Sequence, residues 1–139
     1  MVQLIVGKKG KGKTIQLLDK VNSEIKVVTG NVVYLDKSTK HMYELNNKVR
    51  LIDVSDYAFE NSAEFVGFVC GIISQDHDLQ QMYFDSFLKI SKLEGSSITE
   101  VVNRLETLGE KFGVDFILSV SCDESDLDES LKSKVVVSL

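Results

Sequence analysis

The 139-residue sequence contains no proline and no tryptophan, and only two arginines, two cysteines and two histidines. Without proline, an internal repeat or a low-complexity stretch, nothing in the chain marks a linker, and the length suits a single domain over 1–139. Cys70 and Cys122 lie far apart, one inside an apolar segment and one at the end of another. They read as reduced structural residues, not as a disulfide or a metal site. No apolar run approaches the roughly 18 residues of a membrane span. Residues 1–6 lead directly into the first motif, so no signal peptide is expected and the cytoplasm is the expected location. His41 and His77 fall in turn-like segments without evident partners and read as surface histidines.

The charge is uneven. Residues 1–50 hold ten Lys/Arg and four Asp/Glu, a net +6, and the remainder holds six and seventeen, a net −11. The basic excess gathers at Lys8, Lys9, Lys11 and Lys13. An acidic chain without aromatics interleaved among its lysines gives little support to a nucleic-acid partner. A local anion site explains the cluster.

That cluster lies in Gly7-Lys8-Lys9-Gly10-Lys11-Gly12-Lys13-Thr14, which fits G-x-x-x-x-G-K-[ST]. An apolar run, Val2 to Val6, precedes it. Ile15, Leu18 and Val21 follow at helical spacing, predicting a helix from Lys13 to Glu24. By average residue frequencies a chance match in a chain this long is below roughly one in a hundred. A polyphosphate needs several N–H donors converging on it, and glycine lets backbone approach that closely. The helix start adds unpaired N–H groups and a positive dipole end.

The loop with its extra Gly10 resembles the Walker A loop of P-loop nucleoside triphosphatases. The form G-x-x-G-x-G-K-T occurs in RecA-like and AAA-type ATPases, among them the retraction ATPases of type IV pili, and in some kinases. The further acidic and histidine boxes of the pilus enzymes are absent. The resemblance implies ATP and Mg²⁺ as ligands, with Gly7, Lys8, Lys9, Gly10, Lys11, Gly12, Lys13 and Thr14 cradling the phosphates. Lys13 would reach the β- and γ-phosphates and Thr14 would place its hydroxyl on Mg²⁺.

The remaining segments alternate between strand and helix. Val32 to Leu35 reads as a strand ending at Asp36, with a turn to Lys40 and a short hairpin strand from His41 to Leu45. Ile25 to Thr29 fits either a further strand or a connection. Val49 to Val54 is another strand. Asn61, with Glu64 three residues on, reads as the cap of a helix bearing Phe65, Val66, Phe68, Val69, Ile72 and Ile73. Being apolar on most sides, that helix is expected to be deeply buried or to meet another copy. Met82 to Phe84 reads as a strand ending in Asp85, and Ser86 to Glu94 as a short helical turn. Ser97-Ile98-Thr99-Glu100 has the form of a capping box for a helix ending at Gly113. Phe116 to Val120 is a strand, Ser125 to Lys132 a short capped helix, and Val135 to Val137 a last strand. The expected fold is α/β: a three-layer sandwich with a mostly parallel sheet of five to six strands and helices on both faces. By resemblance it is a RecA-like P-loop fold.

A P-loop enzyme also needs a carboxylate on the metal side, expected at the tip of a neighbouring strand. Asp85 and Asp53 are the candidates, and Asp85 suits the strand that follows a crossover. Hydrolysing relatives often carry a glutamate directly after this aspartate. Here Ser86 stands there, so Asp36, Asp53 or Asp56 would have to polarise the water. Ser119 and Ser121 resemble the polar position that senses the γ-phosphate. A charge-stabilising arginine would be Arg50, Arg104 or a partner's. Asp53-Val54-Ser55-Asp56 lacks the glycine of D-x-x-G, and N-K-x-D is missing, which leaves ATP as the expected nucleotide over GTP. Three functions fit: an ATPase that is slow or stimulated by a protein partner or by self-association, a kinase of a small acceptor, or a nucleotide sensor without turnover.

Overall fold

A computed structural model describes residues 1–139. Six strands form one sheet: β1 (Val2–Val6), β2 (Asn31–Asp36), β3 (Arg50–Asp53), β4 (Leu79–Phe84), β5 (Asp115–Val120) and β6 (Val135–Ser138). Their spatial order is β3-β2-β4-β5-β1-β6, and every neighbouring pair is parallel. Parallel strands require crossovers, and helices supply most of them. These are α1 (Lys13–Glu24), α2 (Ser62–Ser74), α3 (Phe87–Ile90) and α4 (Thr99–Phe112). No helix is long and apolar enough to cross a membrane.

The period of two along each strand divides the core. Val2, Leu4 and Val6 of β1, Val33 and Leu35 of β2, and Phe116 and Leu118 of β5 face one side. There Phe65, Val69, Val102 and Leu105 of α2 and α4 cover them. The alternate residues Ile5, Tyr34, Tyr83 and Ile117 face the other side, under Leu17, Leu18 and Val21 of α1. Asp36, Asp85 and Ser119 continue this second set at or just beyond the strand ends. They therefore point toward the side on which α1 begins.

The expected α/β class and parallel sheet agree with this architecture. The Asn61 side chain caps α2 by accepting from the Glu64 amide at 2.9 Å, and Gly113 ends α4 in the left-handed region at φ 69°. Three local readings need correction, and one left open is settled. The segment expected as a hairpin strand from His41 to Leu45 contains a 3₁₀ helix, Met42–Glu44. Both sides of β2 are already occupied by β3 and β4, so no edge is open to it. The Ser97 capping box does not form: its hydroxyl bonds Thr99, and Ile98, buried in the core, occupies the cap position. The helix expected over Ser125 to Lys132 is two 3₁₀ turns, Glu124–Asp126 and Glu129–Lys134. Ile25 to Thr29 is a connection and not a strand.

Helix α2 buries Phe65, Val66, Val69 and Ile73. Its flank is screened within the chain, where Phe59 meets Phe68 at a centroid distance of 4.9 Å and Tyr57 meets it at 5.1 Å. Its apolar circumference is thus largely accounted for by the loop before it.

Candidate functional site

The glycine-lysine loop joins β1 to α1 at the carboxyl end of the sheet. Gly10 and Gly12 have φ of +86° and +96°, a region that side chains rarely adopt. Gly7 is fixed by crowding instead: a Cβ there would lie 3.0 Å from the Leu139 Cβ. Gly12 caps α1 without a side-chain hydrogen bond. The N–H groups of Gly10, Gly12, Lys13 and Thr14 donate to no backbone acceptor. Four donors at a helix start, none satisfied by main chain, form a concentrated positive edge.

Lys13 folds back under the loop, 7% exposed, and its Nζ donates to the Lys8 carbonyl at 3.2 Å. Burial draws its pKa down, against the attraction of the Asp85 carboxylate. Thr14 Oγ1 donates to Asp85 Oδ1 at 3.2 Å, across 71 positions of sequence. The second oxygen of Asp85 accepts from the Tyr34 hydroxyl at 2.8 Å. Burial, and then the charge of Asp85, raise the Tyr34 phenol far above its ordinary range. Asp85 is thus held at both oxygens by a floor that the alternating strands build.

Contrary to the expectation of a neighbouring strand, Asp85 does not follow a strand that lies beside β1. β5 intervenes, and its end brings Ser119 and Ser121 between the loop and Asp85. The loop, these serines and Asp85 surround a cavity of about 650 Å³. Lys9, Gly10, Gly12, Lys13, Thr14 and Ser121 line it. Gly7, Lys8 and Lys11 do not: Lys8 forms an ion pair with Asp123 at 3.3 Å, and the Lys11 amide bonds the Lys8 carbonyl at 3.2 Å. Cys122 stands unpaired nearby, its thiol pKa raised by burial and then by Asp126 and Asp123.

The alternative carboxylate, Asp53, is spent on local structure, accepting from the Ser55 amide and hydroxyl at 2.9 and 2.6 Å. Asp56 is exposed. Asp36 lies beside Asp85: the Asp85 amide donates to the Leu35 carbonyl, and the two carboxylates end adjacent strands. Only 2% of Asp36 is exposed. Its Oδ1 accepts from the Lys37 amide at 2.7 Å, and its Oδ2 has no partner. Burial, and then repulsion from Asp85, push its pKa up to about 6.

Neither arginine lines the cavity. Arg50 pairs with Asp76 at 3.0 Å near the amino ends of the strands, and Arg104 sits on the surface of α4. Lys37, Lys40 and Lys89 supply positive charge at the cavity instead. His41, expected at the surface, lines the cavity with its side chain 22% exposed. His77 is exposed as expected. The contribution of residues 36–41 was hidden in the sequence because it depends on which strands lie side by side. The one local signal is the dense Asp-Lys-x-x-Lys-His pattern directly after a strand.

No protein-family model matches this chain, and no curated protein sequence matches it. The reading of the site therefore rests on its residues.

Proposed function

We propose that the protein is a small ATP-binding P-loop protein of the RecA-like branch, with Mg²⁺-dependent ATP hydrolysis that is slow or stimulated by a partner. The observation that carries this reading is the contact of Thr14 with Asp85, beside a buried Lys13 and four main-chain donors. A hydroxyl and a carboxylate in contact suit a hard cation, and the loop donors suit the phosphates the cation would accompany. Thr14 and Asp85 would hold Mg²⁺, Lys13 would bind the β- and γ-phosphates, and Ser119 and Ser121 would meet the γ-phosphate. A Mg²⁺ held there would neutralise negative charge on the phosphates. The strand order supports the RecA-like branch, since β5 carries its serines between the loop and the carboxylate strand.

Two features favour slow turnover. Ser86, not a glutamate, follows Asp85 and lines the cavity there, its backbone in the left-handed region at φ 53°. No arginine lines the cavity. Ser86 also favours a second reading, a sensor that binds nucleotide without turnover.

Calorimetric titration with ATP, GTP and ADP, with and without Mg²⁺, followed by phosphate release on the same sample, tests both readings. Mg²⁺-dependent ATP binding that is lost in Lys13→Ala, with measurable release, is the expected result. Binding without release selects the sensor. Equal ATP affinity in Lys13→Ala overturns the P-loop assignment.

A further inference from the structure

Asp36 and Asp85 are two buried carboxylates at the ends of adjacent strands, each 2% exposed. Neither forms an ion pair with a lysine or arginine. Buried carboxylates are ordinarily paired with a cation or bound to a metal. Asp85 is satisfied by two hydroxyls, but Asp36 keeps an unpartnered, inaccessible Oδ2. His41 completes the group: one ligand atom from each of Asp36, His41 and Asp85 lies within 4.8 Å of the other two.

The imidazole is also prepared. Its Nδ1 meets Glu44 Oε1 at 3.3 Å, which leaves Nε2 as the free ring nitrogen. A carboxylate on one nitrogen of a metal-bound histidine fixes the tautomer and raises the basicity of the other. The 3₁₀ helix Met42–Glu44 places Glu44 there. Asp85 has room for a cation, because an ionised carboxylate offers about four lone-pair directions and the two hydroxyls use two.

We infer that Asp36, His41 and Asp85 form a binding site for a divalent first-row transition cation. It shares Asp85 with the Thr14–Asp85 position but takes its other ligands from Asp36 and His41, and it is open to a cation without nucleotide. Two carboxylates and an imidazole suit the series from Mn²⁺ to Zn²⁺, and the imidazole selects against Mg²⁺ and Ca²⁺. Ligands around such an ion stand about 2.0–2.2 Å from it, which is compatible with atoms that lie within 4.8 Å of one another. The inference does not depend on the P-loop reading, because none of its steps uses Lys13, Thr14 or a phosphate.

The test is titration of the nucleotide-free protein with Co²⁺, followed by calorimetry and by the visible absorption of the bound ion. One equivalent is expected to bind, with excess Mg²⁺ failing to displace it. His41→Ala and Asp36→Asn should each weaken binding at least about tenfold. The control His77→Ala should leave it unchanged, and Thr14→Ala should weaken it less than His41→Ala does, because Thr14 reaches the site only through its hydrogen bond to Asp85. His41 is partly exposed and its side chain bonds only Glu44, itself largely exposed, so His41→Ala tests the site with little effect on the fold. No binding to the wild type, or equal Co²⁺ affinity in His41→Ala, overturns the inference. Loss of binding in Thr14→Ala with retention in His41→Ala assigns the ion to the Thr14–Asp85 position and also overturns it.

Discussion

Replacing Asp36 by asparagine should stabilise the protein at neutral pH and remove part of its pH dependence. In the unfolded chain this carboxyl titrates near 3.8, and in the fold near 6. Between those values the native state holds a proton that the unfolded chain has released. Stability then falls as pH rises through the interval and levels off above it. Two units at about 1.4 kcal/mol each set an upper bound of roughly 3 kcal/mol, and solvent at the nearby cavity mouth reduces this to about 1–3 kcal/mol. Asparagine keeps an oxygen for the Lys37 amide and turns an NH₂ group toward Asp85, where the carboxylate offers only repulsion. Urea unfolding followed by circular dichroism, from pH 4 to pH 8 in chelated buffer, measures both proteins. Asp36→Asn should match the wild type near pH 4 and exceed it by about 1–3 kcal/mol at pH 7.5. A constant difference across the range, or a less stable variant at pH 7.5, would refute the argument that Asp36 is a desolvated, repelled carboxylate.

Two further substitutions probe the floor and the core. Asp85→Ala should weaken Mg²⁺-dependent ATP binding more than Asp53→Ala in the same titration. It should also cost about 1–3 kcal/mol of stability, because the Tyr34 hydroxyl loses its buried acceptor. The reverse ranking in binding would reassign the metal-side carboxylate. Phe65→Ala should cost about 3–5 kcal/mol in denaturant unfolding, since Phe65 is fully buried and packs edge-on against Phe84, Phe87 and Phe59.

What could be read in advance follows from the range of the forces involved. The loop was legible because Gly7, Gly12, Lys13 and Thr14 are adjacent and their flanks keep strand and helix periods. Asn61 and Gly113 were legible because caps act over three or four residues. Asp85 stood out as a carboxylate ending an apolar strand. The partnership of Asp36 with Asp85 was not legible, since it depends on β2 pairing with β4 across about 50 residues. His41 misled for the same reason. Its segment has enough alternation for a strand, but both sides of β2 were taken by β3 and β4, and Tyr43 ends 92% exposed. At Ser97 a sound local cap signal gave way to burial of the next residue, Ile98.

The position of β1 in the sheet bears on when the molecule becomes competent. β1 comes first in the sequence, yet its neighbours are β5 and β6, which come last. The Leu139 amide makes the closing bond to the Val6 carbonyl at 2.9 Å, at the threshold of the loop. During synthesis, β2, β3 and β4 emerge as a contiguous set able to pair among themselves. β1 must wait until β5 and β6 have left the ribosome, and such long-range closure is slow relative to local pairing. The Gly7–Thr14 loop gains its rigid mounting only when β5 and β6 have paired with β1, so a ligand of that loop would report this long-range pairing and not the earlier collapse of β2 to β4.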